Sequence, residues 1–367
     1  MNKISYIESI RGVLAMLILL FHAPLDSLIT GEFLINAWIA VDIFFVISGY
    51  VITLKYFEVE SFDNVIMFQK KRLFRLYPLH LITLVIFLFL EIIKYIAKYN
   101  FGFSSELEPF SINNSTSFLS NLFLIQVFTG HAISWNLVSW SISAEFWTYI
   151  IFILTAFFAS QDNKKYLIFS ILLILISAII LSIYGFLPIN GLARGIYSFF
   201  IGSCFLIIFR GKFQNVNLSI PILLIVSLML TAIFSKGESY AGINFLIPWL
   251  AATLLIALDG SNENNLLIRV LNFPLLLYLG KISFSLYILH NIVWWILKIF
   301  LVQILQFPLI TNSQGEIRVF IENYLISNLL IIFSVGVIIF ISHYSYKYIE
   351  KPFINMARFQ RKIKDVE

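Results

Sequence analysis

The chain has 367 residues, of which 60% are apolar and 12% charged, with a mean hydropathy of +0.90 and a formal net charge of +5. A soluble domain carries about 25% charged residues, so a water-surrounded globule of this length is excluded and a membrane bundle is indicated. The one cysteine, Cys204, excludes an internal disulfide framework and cysteine-rich metal sites.

Hydropathy predicts an all-α polytopic bundle of ten spans, at 6–25, 33–54, 77–98, 138–159, 165–187, 192–209, 218–235, 242–258, 283–306 and 320–343. Each approaches the ~20 residues that cross a bilayer. Two shorter runs, 117–128 and 266–279, are expected at the interface or as re-entrant segments, the second broken by Pro274. Lys3 ahead of the apolar run from Val13 to Phe21 looks like a signal peptide, but Pro24-Leu25-Asp26 stands where a small-residue cleavage site belongs, so the run reads as a retained first span. With the N-terminus in the cytosol, nineteen of the 25 Lys and Arg fall on the cytosolic side. The other six are Lys94, Lys98, Arg194, Lys236, Lys298 and Arg318. This bias predicts an N-in, C-in arrangement and accounts for the positive charge without nucleic acid as a partner. The chain divides into a transmembrane domain over 1–350 and a basic cytosolic tail over 351–367.

In the first span, Arg11 and His22 are eleven positions apart. Eleven steps of ~100° come within ~20° of three turns, so both lie on one helix face, roughly 16 Å apart. Intramembrane ionisable residues are functional candidates by default. Each also has a plainer reading: Arg11 snorkels to the interface, and His22 caps a helix end near water. The second span carries Asp42, at a depth similar to His22 on the neighbouring antiparallel helix. A carboxylate there would fix the imidazole tautomer and make a general base; structural pairing with a Lys or Arg is the alternative. Ser48-Gly49 reads as a site of close helix packing, and Ser48 has no evident partner that would make it a nucleophile.

Arg72 and Arg75, three apart, share a helix face at the expected cytosolic surface. Guanidinium pairs suit phosphate, while an anchor for anionic headgroups fits equally well. Pro78 restricts Tyr77 and is expected to end this helix before the third span begins. The fourth span opens as Trp135-Asn136-Leu137-Val138-Ser139-Trp140-Ser141-Ile142-Ser143-Ala144-Glu145-Phe146-Trp147. Glu145 there faces either a saccharide stacked on the tryptophans or a structural pairing with Arg194 of the sixth span. His290, in Ser283-Phe284-Ser285-Leu286-Tyr287-Ile288-Leu289-His290, is a second site candidate or a core histidine. His80, His131 and His343 are expected at interfaces.

Five of these stretches, in order, resemble acyltransferase family 3 of integral membrane acyltransferases. They are the Arg11–His22 pattern, Val41-Asp42-Ile43-Phe44-Phe45-Val46-Ile47-Ser48-Gly49-Tyr50, Arg72-x-x-Arg75-x-Tyr77-Pro78, Trp140-Ser141-Ile142-Ser143-Ala144-Glu145 and Ser283 to His290. One departure is Ala144-Glu145-Phe146-Trp147, where relatives often carry a second acidic residue. The resemblance covers nearly the whole chain. It implies transfer of an acyl group, most often acetyl, from cytosolic acyl-CoA to a carbohydrate hydroxyl at the inner (plasma) membrane, in a stand-alone form without an appended SGNH-type hydrolase domain. Acyl-CoA enters as donor substrate, and no permanently bound cofactor or metal is implied. On that reading His22 is the general base, Asp42 orients it, and Glu145 is a third candidate at the centre. Arg11, Arg72 and Arg75 hold the donor, with His290, Tyr77 and Arg194 as further candidates. The carbohydrate or lipid-linked glycan acceptor and membrane lipids are the other expected partners. A flippase for lipid-linked glycans is the alternative. A polyprenyl-phosphate glycosyltransferase is poorly supported, since the first outer loop offers only Asp26 and Glu32.

Overall fold

The computed structural model describes residues 5–31, 34–103, 107–311 and 317–364, and side chains as far as Ala357. Lys3 and Glu32 lie outside the described residues. The described chain is an all-α bundle with one two-stranded sheet.

Its long helices are α1 (Ser5–Phe21), α2 (Ala40–Tyr56), α3 (Phe62–Phe101), α5 (Trp140–Ala159), α6 (Asn163–Tyr184), α7 (Gly191–Phe209), α8 (Ser219–Phe234), α9 (Leu246–Asp259), α12 (Ser283–Ile299) and α13 (Tyr324–Ser345). Short helices α4 (Ser115–Leu122), α10 (Leu266–Leu271) and α11 (Pro274–Lys281) occupy the two runs too short to cross a bilayer. Among the described residues eight helical segments are long and apolar enough to span; α8, with 16 residues, falls just short, and α1 has 17.

Helix α3 departs most from expectation. It is 40 residues long and runs through Pro78, so the proline does not end it. The missing proline N–H leaves only the Phe74 carbonyl without its usual donor. Ser61 caps the start by accepting from Asn64 N, and Gly102 ends it in the left-handed region at φ 72°. At ~1.5 Å per residue the helix is about 60 Å long, twice the ~30 Å hydrocarbon core. Its first turns, with Arg72 and Arg75, therefore continue the third span itself.

Burial sorts the helices into a centre and a rim. The α2 and α7 segments are two-thirds buried, while those of α6 and α13 are 28% buried and present residues such as Ile183 and Phe333 outward. Each rim helix turns one narrow stripe inward: Tyr166, Ser170, Ile174, Ser177 and Leu181 in α6, and Ser327, Ile331, Ser334, Ile338, Ser342 and Ser345 in α13. Small residues at three- and four-residue spacing let helices approach closely in lipid. The same device joins α2 to α7, where a Cβ on Gly49 would overlap the Phe199 carbonyl and one on Gly202 the Val46 carbonyl. Helix α1 packs on α11, and a Cβ on Gly12 would stand 2.6 Å from Gly280 N.

At the far end of α1 the chain is clasped to its own C-terminal part. Strands β1 (Leu309–Thr311) and β2 (Ile317–Val319) pair antiparallel, where sequence reading placed the approach to the last span. Val319 N donates to Pro24 O at 2.7 Å, Asp26 N to Val319 O at 3.0 Å, and Arg318 Nη1 to Thr30 O at 2.8 Å. Beyond α13 a π-helical turn (Tyr346–Glu350) leads into α14 (Lys351–Lys364), which lies along α3 with Phe353 against Phe74 at 6.3 Å.

Candidate active site

Helices α1, α2, α5 and α12 form a partly open cavity, lined by Arg11, Val41, Phe44, Phe45, Ser48, Ser141, Ile142, Glu145, Ser283, Phe284 and Tyr287. Its walls are mainly aromatic and aliphatic, with Arg11 and Glu145 as its charged lining groups. Glu145 accepts from Ser48 Oγ at 3.1 Å and from the Tyr149 hydroxyl one turn along α5. Arg11 pairs with Glu8 at 3.7 Å and also lies in electrostatic reach of Glu145 and Arg75. Ser48, without an evident partner in the sequence, is thus a hydrogen-bond donor to the part-buried carboxylate.

One wall leads to both histidines. Ser283, Tyr287, His290 and Trp294 follow each other at spacings of four, three and four, so they share the face of α12 turned to α1; Trp294 Nε1 donates to Leu19 O at 2.9 Å. Tyr287 hydrogen-bonds Ser141 Oγ at 2.7 Å, and its ring is 6.1 Å from that of His290. The His290 ring in turn lies 5.2 Å from that of His22, tilted by 31°. His22 stands one residue beyond the last helical residue of α1, where its Nδ1 lies 2.9 Å from Ile18 O. His290 repeats this contact, with Nδ1 3.1 Å from Leu286 O. A carbonyl oxygen only accepts, so in both neutral rings Nδ1 carries the hydrogen and Nε2 presents its lone pair. His22 is therefore a helix-end cap and an imidazole held in one tautomer at the same time.

Asp42 does not orient His22. Its two carboxylate oxygens accept from Arg194, Oδ1 from Nε at 3.2 Å and Oδ2 from Nη2 at 2.8 Å, with both side chains fully buried. The reason is azimuth: Asp42 lies seven residues before Gly49, on the α2 stripe that packs on α7, whereas Ser48 faces the cavity. Arg194 also donates to Phe186 O at 2.5 Å and to Glu238 at 3.3 Å, and its guanidinium sits between Trp38 at 5.2 Å and Trp140 at 4.9 Å. The expected Glu145–Arg194 pairing is thus replaced by Arg194–Asp42. Glu238, which sequence reading passed over, lies in the loop before α9; burial raises its carboxyl above the usual range while Arg194 opposes the shift. Trp140 gives its face to Arg194, Trp135 packs on Phe118 at 5.3 Å, and Trp147 on Phe128 at 5.1 Å.

The two arginines of α3 part company. Arg72 is buried among the rings of Tyr56, Phe68 and Tyr149, 5.2–5.7 Å from its guanidinium carbon, and donates to Tyr56 Oη at 3.3 Å. Half-buried Arg75 lies in electrostatic reach of Glu145, Glu350, Glu8 and Tyr149, on the side of Arg11 and the cavity. Tyr77 donates to Leu122 O at 3.0 Å and ties α3 to α4. His80 is buried and meets Asn121 O at 2.9 Å.

The structure thus brings Arg11, Ser48, Glu145 and Tyr287 into one cavity lining, with Arg75 in electrostatic reach of Glu145 and the His290 and His22 rings in a row beyond Tyr287, and assigns Asp42 and Arg194 to a separate buried ion pair. Neither curated proteins nor solved structures give a match to the chain. The family model described as an acyltransferase domain matches residues 4–353, nearly the whole length. The chain is therefore a multi-pass membrane acyltransferase of acyltransferase family 3.

Proposed function

We propose that the protein transfers an acyl group, acetyl in the simplest case, from acyl-CoA in the cytosol to a hydroxyl of a cell-surface or lipid-linked carbohydrate, as a plasma-membrane enzyme with both termini cytosolic. The observation that carries this reading is the cavity that has Arg11 and Tyr287 in its lining, with the His290 and His22 rings following in a row from Tyr287. A phosphate-rich donor with a thin flexible arm fits such a path. Arg75 and Arg11 supply positive charge for the head, and the narrow, mainly apolar cavity accepts the arm.

His22 then acts as the base. With Nδ1–H held by Ile18 O, Nε2 takes the hydroxyl proton as the acceptor oxygen attacks the thioester carbonyl. The C–S bond breaks, and the imidazolium returns its proton to the thiolate. General-base catalysis of this kind contributes about 10²–10⁴-fold. The test is thiol release from acetyl-CoA by the purified protein in liposomes that carry lipid-linked oligosaccharide. Wild type is expected to release thiol with acceptor present, and His22→Ala to lose about 10²-fold or more in turnover while still eluting as a monodisperse species. Full turnover by the variant removes His22 from the chemistry.

A further inference from the structure

The end of α3 opposite to Arg72 and Arg75 carries a second, open pocket that the chemistry above does not use. Glu91 lies sixteen residues beyond Arg75, about 24 Å along the helix axis. Glu91 and Lys94 of α3, Glu108, Ser111 and Asn113 of the loop that follows, and Trp135 ahead of α5 are in its lining. Resting on the acyltransferase reading above, we propose that this pocket holds a neutral sugar of the acceptor glycan, at a subsite apart from the reacting hydroxyl.

Charge matching sets the ligand class. Glu91 pairs with Lys94 at 3.0 Å, and Glu108 pairs with Lys98 and accepts from the Tyr99 hydroxyl. With two carboxylates against two ammonium groups, the pocket has no surplus charge to select a phosphate or a metal cation. Hydrogen-bonding capacity does remain. An ammonium has three donors and a carboxylate about four acceptor positions, and Lys94 gives one donor to Glu91. Donors and acceptors side by side, with apolar lining such as Ile133 between them, suit an uncharged polyhydroxylated ring, whose hydroxyls both donate and accept while its C–H faces meet the apolar wall.

The pocket is held in shape by the protein itself. Glu91 accepts from Phe110 N and from Asn113 Nδ2, each at 2.9 Å, and Asn113 Oδ1 accepts from Trp135 N at 2.6 Å. Phe110 and Trp135 both lie in the left-handed region, at φ 61° and 55°. Bulky residues rarely adopt that backbone, and such positions cluster at ligand clamps.

The same wall is fastened to α12. Asn136, next to Trp135, donates from Nδ2 to Ile288 O at 2.9 Å and accepts from Asn291 Nδ2 at 3.4 Å. Ile292 packs on the small cluster of Trp135, Leu84 and Phe87. A glycan seated in the pocket is therefore held at a set position relative to α12, which borders the first cavity through Ser283, Phe284 and Tyr287.

The test uses the full-length protein in liposomes, with acetyl-CoA and lipid-linked oligosaccharide. Ile133→Trp, at a position 51% exposed, fills the pocket. It is expected to raise the Michaelis constant for the oligosaccharide by about tenfold and to leave that for acetyl-CoA unchanged. A merely structural effect would move both constants and the melting temperature together. A second measurement does not depend on that variant. In a Cys204→Ser background, Ser111→Cys offers one thiol at the pocket to an impermeant reagent. The free oligosaccharide cleaved from its lipid should slow that labelling by about tenfold near saturation, whereas acetyl-CoA and inorganic phosphate should not. An unchanged oligosaccharide constant in Ile133→Trp, labelling that the oligosaccharide does not slow, or equal protection by phosphate overturns the subsite and leaves the acyltransferase reading intact. A wild type that releases no thiol overturns that reading itself.

Discussion

At the scale of single residues, the molecule separates groups that sequence spacing puts together. Arg72 and Arg75 share a helix face, yet Arg72 spends its charge on three aromatic rings and Arg75 lies in electrostatic reach of Glu145, Glu350 and Glu8. Arg75→Ala is accordingly expected to raise the Michaelis constant for acyl-CoA by about tenfold, in the range of one charge-assisted hydrogen bond. Arg72→Ala is expected chiefly to lower the melting temperature. Equal effects of the two on donor affinity would refute the distinction. The buried Asp42–Arg194 pair makes an opposite forecast. Removing one partner of such a pair costs about 3–5 kcal/mol because it strands a charge. Asp42→Asn should therefore show its main loss in thermal stability in detergent, and a stable but slow Asp42→Asn would restore a role in turnover.

The sequence carried part of this. The depth of Asp42 was readable, and depth suggested His22; its direction around the helix was also readable, because Gly49 marks the packing face seven residues later. What no local pattern supplies is the identity of the group across that face, 152 positions away in Arg194. The same holds for His22 and His290: their helix faces follow from spacing, and their meeting depends on how α1 crosses α12.

Among the elements, the apolar runs marked the ten long helices because lipid allows little else: backbone polar groups must be satisfied within the segment. The helix ends were less legible. Pro78 sits inside α3 at no visible break, since the tolerated cost is one carbonyl, and the last span, expected from 320, begins as helix only at Tyr324. The α2–α7 contact is the element-level hinge of stability. A side chain on Gly49 must displace the Phe199 backbone, while Gly336 of α13 faces open space. Gly49→Val should abolish or sharply reduce the yield of monodisperse protein, and Gly336→Ala should leave it unchanged. Size-exclusion profiles of the two, purified side by side, decide this; normal yield from Gly49→Val would mean that α2 and α7 are not in fact so close.

For the whole molecule, the count of crossings fixes sidedness. If α1 and α8 cross with the eight longer segments, the number is even and both termini share one side. Single cysteines placed at Ser5 and at Lys351 in a Cys204→Ser background should then react alike with an impermeant thiol reagent from the cytosolic side. A cysteine at Glu108, in the loop after α3, should react only from the other. Opposite sidedness of Ser5 and Lys351 would require an odd number of crossings.

The clasp between Pro24–Asp26 and Val319 has a consequence for biogenesis. Helix α1 emerges first from the ribosome, but the strand that fastens its far end arrives only after almost all of the chain. At about 5–20 residues per second that delay is roughly 15–60 s. Through that interval the histidine-bearing end of α1 sits in the bilayer without the fastening that later sets its height, and α12 has yet to be made for most of it. A nascent or prematurely terminated chain therefore lacks the clasp that fixes the far end of α1. The clasp closes in one late step, when β2 reaches the segment that follows α1.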